Sequence, residues 1–254
     1  MKLGFIGTGN IASAVIEGFC TAGIEELSVY VSPRNETQSK YLADKYACVT
    51  RMESNQAVVD QADIIFIAVR PLIAEAVVLE LQFRKDHTVV SFVPFLKLAA
   101  LIDAIAPAQV ACRAIPLPSV AVHQCPIPIL RPTPAITQLF GHIGQPLEVH
   151  DEQQLVALWT LTGLITPFYD MLFTLSNWTI AKGVPASTAN AYIANMYQAL
   201  SYVAQQASPI DFQELSRHAA TPKGMNEQAG KEIRESGAHQ EYAKAADRLL
   251  ERFK

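Results

Sequence analysis

The hydrophobic positions along the chain change their rhythm once, near the middle. In the first half, short apolar runs recur at Lys2 to Ile6, Leu27 to Val31, Ile64 to Val69, Thr88 to Val93 and Gln109 to Ile115. They are rich in β-branched residues and nearly continuous in apolar character, as strands buried on both faces should be. Between them, Asn10 to Ala22, Glu36 to Lys45, Pro71 to Leu81 and Leu96 to Ala104 have the spacing of helices. This alternation predicts an α/β fold with a doubly wound parallel sheet. Gly23 suits the C-terminal cap of the first helix. The Pro-rich stretch from Ile115 to Pro134 reads as an ordered connection with short extended pieces, because it lacks the Gly and Ser of a flexible linker.

From about Asp151 onward the pattern is helical, with no strand signal. The expected organisation is a Rossmann domain over residues 1–150 and an all-α C-terminal domain over residues 151–254. Between Gln153 and Ile210 the only formal charges are Asp170 and Lys182. A helix with one solvent-facing side should carry charges on it, so this stretch is expected to be covered on most sides. Either the first half of the same chain or a second chain must do the covering. A homodimer, with a higher homo-oligomer as an extension, is the expectation carried forward. From Asp211 to Lys254 acids and bases alternate closely, as on a solvated outer shell.

Charge and composition then exclude some classes. The net charge of -4 is too mild to suggest a nucleic-acid partner. The longest apolar candidate for a membrane span, Leu155 to Tyr169, is short and interrupted by Thr, Gly and Pro. No basic and apolar leader precedes the first strand. The four cysteines, Cys20, Cys48, Cys112 and Cys125, form no C-x-x-C pair and sit among apolar neighbours. They read as buried thiols in a reducing, cytoplasmic compartment. The six histidines show no triad or metal spacing, so no metal is expected. Trp159 and Tyr169 read as core.

The chemistry concentrates at Gly7-Thr8-Gly9-Asn10-Ile11-Ala12, a G-x-G-x-x-A pattern between a strand and a helix. Gly7 permits a tight turn, Gly9 lets backbone approach a pyrophosphate, and Ala12 lets helix and strand pack closely. The helix N-terminus offers N–H groups to phosphate. At the end of the second strand an NAD site usually presents an acid to the ribose. Here Val31-Ser32-Pro33-Arg34 has none. Ser32 can donate a hydrogen bond and Arg34 can grip a 2′-phosphate, which points to NADP. Val69-Arg70-Pro71 ends another strand where the ligand crevice of such sheets lies, so these three residues also border the expected cofactor.

With these residues in place the chain resembles the pyrroline-5-carboxylate reductase family. Gly4 to Ala12 reads G-F-I-G-T-G-N-I-A against the family's G-F-I-G-x-G-N-M-A. Val69-Arg70-Pro71 matches its V-K-P, Arg113 to Pro118 echoes its R-x-M-P-N-x-P, and Gly183-Val184-Pro185 matches its G-L-P. The resemblance implies an interlocked helical dimer that transfers hydride from a nicotinamide cofactor to a small cyclic imine. Departures fall on the implied substrate side. Leu117 stands for the family's Asn. Leu164 and Ile165 lie in the segment corresponding to S-G-S-G-P-A-Y. Thr221 to Asn226 replaces S-P-G-G-T-T, the loop the family uses to hold the substrate carboxylate. In that loop Lys223 and Asn226 are the polar groups left for catalysis, Asn226 being equally suited to cap a helix starting at Glu227. A dimeric NADP-binding protein without turnover is the alternative.

Overall fold

A computed structural model describes residues 1–253. Its strands are β1 (Lys2–Ile6), β2 (Ser28–Val31), β3 (Val49–Arg51), β4 (Ile64–Ile67), β5 (Thr88–Ser91), β6 (Val110–Ala114), β7 (Pro126–Leu130) and β8 (Gln145–Val149). Helices α1 (Asn10–Thr21), α2 (Glu36–Lys45), α3 (Asn55–Gln61), α4 (Pro71–Leu79), α5 (Leu98–Ala104) and α6 (Pro134–Gly141) connect them. Then follow α7 (Glu152–Leu161), α8 (Ile165–Ala181), α9 (Ala186–Gln206), α10 (Phe212–Ala219), α11 (Met225–Glu235) and α12 (Ala238–Leu250). The chain divides into two compact units, Met1–Trp159 and Thr160–Lys254, so the boundary falls inside α7 rather than at residue 150.

The first unit is an eight-stranded sheet in the order β3-β2-β1-β4-β5-β6-β7-β8. All pairings are parallel except β6 with β7, which is antiparallel. Alternate residues of one strand feed opposite faces. In β4, Phe66 joins the core with Leu3, Phe5, Phe19 and Phe140, whereas Ile65 and Ile67 join the core with Val58, Val89 and Leu101. The Phe5 and Phe66 rings stack with centroids 4.5 Å apart, and Phe140 meets Phe66 edge-on at 6.1 Å. Burial on both faces explains why these strands read as continuous apolar runs.

Three strands and two helices were not legible in the sequence. β3 is short, and only Val49 of its residues is buried. β7 carries Pro126 and Pro128, and β8 carries Pro146. Proline removes a ladder donor and argues against a strand in sequence. The Pro-rich segment thus contributes a full strand as well as the 3-10 turn Pro118–Val122. Residues Leu96 and Lys97 precede α5 instead of belonging to it; the Leu98 N–H donates to Glu152 Oε1 at 2.7 Å, where the helix begins.

The second unit is wholly helical. In α8 and α9, Ser176 donates to Asn190 Oδ1. Yet Tyr169, Phe173, Trp178, Tyr192 and Tyr202 are each at least 60 % exposed. The expectation that Tyr169 is core therefore fails for this chain alone. The stretch Glu152–Ala181 is long and apolar enough to cross a membrane by length and composition, contrary to the sequence reading. That reading stopped at Thr162, Gly163 and Pro167, but the 3-10 turn Thr162–Leu164 carries the chain into α8. Pro167 lies in the first turn of α8, where a missing N–H costs no helical hydrogen bond. Charged residues of α10 to α12 face solvent, with Glu214 paired to Arg217 and His218.

Candidate functional site

The strand order reverses at β1, which lies between β2 and β4. A crevice must open there, beyond the C-terminal ends of the strands, because successive connections leave in opposite directions. The crevice is present, with a volume of about 510 Å³ and a lining of Gly7, Thr8, Gly9, Arg34, Asn35, Ala68, Val69, Arg70 and Ile73. Each wall comes from the end of a strand in the first unit.

Its floor is shaped by glycine. Gly7 has φ +104°, and a Cβ there would sit 2.6 Å from the Ala68 carbonyl oxygen. No other residue fits that turn. A Cβ on Gly9 would meet nothing within 4 Å, so backbone faces open space there. Gly9 precedes α1 with no side-chain cap, and the first turn of α1 has no acid. The first N–H groups of the helix are therefore free for an anion. Ala12 is 1 % exposed and packs into the core.

Two polar side chains fasten the glycine loop to the loop after β2. Ser32 Oγ accepts the Gly7 N–H at 2.8 Å. Asn35 Nδ2 donates to the Thr8 carbonyl at 2.9 Å, while its Oδ1 accepts the Gln38 N–H and caps α2. Ser32 is 1 % exposed and outside the crevice lining, and it supports the turn from beneath. The buried hydroxyl of Thr8 has no partner in the protein. Pro71 opens α4 as its first residue and lies outside the lining, whereas Ile73, two residues on, is part of it. Asn35 and Ile73 had escaped the sequence reading; the Asn that caps α2 was the visible signal for the first.

Cations border the crevice without counter-charges. Among the described residues, no carboxylate lies within 4.0 Å of Arg34 or Arg70, which line it, nor of Arg51, which stands outside the lining at the end of β3. Free donors, a backbone approach that only glycine allows, and unpaired arginines fit a phosphate-bearing dinucleotide.

Arg113 at the end of β6 is different. It is 1 % exposed, donates to Val93 and Pro94 carbonyls at 3.1 and 2.6 Å, and pairs with Glu152 at 2.9 Å. The Trp159 ring lies 5.4 Å from its Cζ. It therefore ties the segment after β5 to the start of α7. The thiols are all free. Burial pushes Cys112 up to about 11, and Cys20, 3.3 Å from Cys48, is also raised by burial.

In the second unit, Lys223 has φ +61°, in the left-handed region where the family's pattern has glycine. Its backbone N–H donates to Glu227 Oε2 at 2.6 Å. Asn226 does not cap a helix at Glu227, because α11 begins one residue before it, at Met225, with Gly224 as N-cap. Its Nδ2 donates instead to the Ala219 carbonyl at 3.0 Å. A Cβ on Gly163 would lie 2.6 Å from Leu249 Cδ1, so that glycine serves packing.

Residues 2–94 match the family model described as NADP oxidoreductase, coenzyme F420-dependent. A pyrroline-5-carboxylate reductase of Corynebacterium melassecola is 23% identical over 261 residues, covering 97% of this chain and 95% of that protein. Among solved structures, the 1-pyrroline-5-carboxylate reductase of Streptococcus pyogenes has a TM-score of 0.85 at 19% identity, covering 100% of this chain and 98% of that one. The Plasmodium falciparum pyrroline carboxylate reductase, solved with NADP bound, has a TM-score of 0.84 at 17% identity, covering 100% and 97%.

Proposed function

We propose that the chain is a divergent member of the pyrroline-5-carboxylate reductase family, an NAD(P)-dependent oxidoreductase that uses NADPH to reduce a small cyclic imine bearing a carboxylate. The substrate is 1-pyrroline-5-carboxylate, giving proline, or a close relative. The observation that carries the cofactor half is the crevice at the strand reversal, with free helix N–H groups, Gly7 and unpaired Arg34 and Arg70. When bound, a reduced nicotinamide supplies the hydride that the C=N carbon accepts; the imine nitrogen takes a proton.

The protein's own residues have little chemistry to add, since a protonated imine is already electrophilic. Gly7, Thr8, Gly9 and the start of α1 hold the pyrophosphate. Arg34 holds the 2′-phosphate, and Val69 and Arg70 border the cofactor. Lys223 supplies a cation for the substrate carboxylate, and no carboxylate of the described residues pairs with its ammonium. Holding donor and acceptor in register supplies most of the acceleration.

The active form is a homodimer in the cytoplasm. The exposed aromatic residues of α8 and α9 support this, since a second copy of the chain would keep them from water. Free thiols fit a reducing compartment.

A specific observation favours a second reading, an NADP-binding dimer without turnover. Asn226, in the place of the family's threonine, already commits one amide N–H to the Ala219 carbonyl. Leu117, Leu164 and Ile165 add bulk in segments the family reserves for small or polar residues. We accordingly expect turnover of pyrroline-5-carboxylate below about 1 per second, the low end of ordinary enzymes. The deciding experiment follows NADPH absorbance with a panel of cyclic imino acids, beside direct NADPH binding. Oxidation with any imino acid supports the enzyme; tight binding with no oxidation across the panel supports the second reading.

A further inference from the structure

The β2–β3 register places an arginine that no motif points to. Val31 pairs with Arg51, so Arg51 ends the outermost strand on the same rim as Ser32 to Asn35. Its Nε donates to Ser39 Oγ at 3.1 Å, in the second turn of α2. Its Nη2 donates to the Pro33 carbonyl at 3.4 Å, the peptide immediately before Arg34. Ser39 is fully buried and fixes one edge of the guanidinium, while the rest of Arg51 is exposed.

Glu36, in the first turn of α2, makes no ion pair with Arg51, nor does any other acid among the described residues. The guanidinium is instead held by neutral oxygens, which fix its direction without cancelling its charge. A planar cation so held at the end of β3, beside Arg34, matches a dianionic phosphate monoester. A ribose without that phosphate would require an acid at the end of β2, and none stands there.

We propose that Arg51 is a specificity-determining residue for the 2′-phosphate of NADPH, acting with Arg34 from the neighbouring strand. It braces the Pro33–Asn35 turn that carries Arg34, and it adds a second charge to the site. The proposal rests on the NADPH reading above.

Binding separates the two. Wild type, Arg34→Ala, Arg51→Ala, Arg51→Lys and the double alanine variant are titrated with NADPH and NADH. Adenosine 2′,5′-bisphosphate and adenosine 5′-monophosphate serve as fragments that require no turnover. Arg51→Ala should weaken NADPH and the bisphosphate by about tenfold, as loss of a partly exposed charged hydrogen bond implies. NADH and the monophosphate should be unchanged. Arg51→Lys should recover part of the loss at low salt, and the double variant should lose less than the two single losses combined. A wild type that prefers NADPH and an Arg51→Ala variant that keeps that preference would overturn the proposal alone. Equal weakening of all four ligands would overturn it as well. A wild type with equal affinity for both cofactors would remove the NADPH reading and this proposal together.

Discussion

The two units of this molecule solve opposite problems. The first closes its own core: Phe5, Phe66, Ile65 and Val89 are fully buried between strands and the helices on both faces. The second leaves large apolar residues uncovered, and Phe173, Trp178 and Tyr192 each remain more than 60 % exposed. Both stretches are hydrophobic in sequence. The difference is geometric, since a sheet with helices on two sides encloses a volume and a long helical pair does not. Apolar composition alone thus does not tell which residues one chain can bury; the arrangement of its elements does.

The comparison breaks most sharply at the first unit's aromatic centre. Phe66→Ala should destabilise that unit by about 3–5 kcal/mol, because the cavity cannot collapse between stacked strands. The loss should not depend on protein concentration, which denaturant titration at two concentrations would check. A charge on the uncovered face should do the reverse. Phe173→Glu should leave the first unit folded and still able to bind cofactor, yet turn a dimer into a monomer or an aggregate, since an unpaired buried charge costs several kcal/mol. Light scattering reads it, and a wild type that is monomeric at micromolar concentration would dispose of the dimer.

A smaller effect sharpens the first unit's role as cofactor carrier. Arg34→Ala should cost about 1.5–3 kcal/mol of NADPH affinity and leave NADH alone. The second unit should not respond, so light scattering of the variant should match wild type.

The smallest effect concerns His87, at the end of the sheet away from the crevice. It is fully buried, and its Nδ1 accepts the Arg84 N–H at 3.0 Å. Burial holds the imidazole below its ordinary value, so the folded chain resists a proton that the unfolded chain accepts. That contribution is whole above pH 6.5, the ordinary value, and is lost as the pH falls below it toward the depressed one. His87→Asn keeps an acceptor that does not titrate, and should flatten the stability profile of the first unit below pH 6.5. An unaltered profile would show that the carboxylates alone set it.

The sequence by itself determined β1, the turn at Gly7 to Gly9 and α1, because each depends on a local property: an apolar run, a backbone conformation, a spacing. It also marked the absence of an acid after β2, and with it the kind of cofactor to expect. It marked residues 153–210 too as a stretch with only two formal charges. Only the tertiary structure decided the roles that depend on a partner distant in the chain. Ser32 reads as a ligand group and is a brace, because its hydroxyl meets the N–H of Gly7, twenty-five residues earlier. Asn35, which the sequence reading passed over, becomes a brace once Thr8 is set against it. Arg51 carries no signal in the sequence, and gains a place only when β3 docks on β2 and sets it beside Pro33. β7 was hidden by its prolines, which remove the donors by which a strand is recognised, yet its remaining carbonyls and N–H groups still pair with β6 and β8. A residue's type and spacing fix what it can bond to; only the folded chain decides which of those partners arrives.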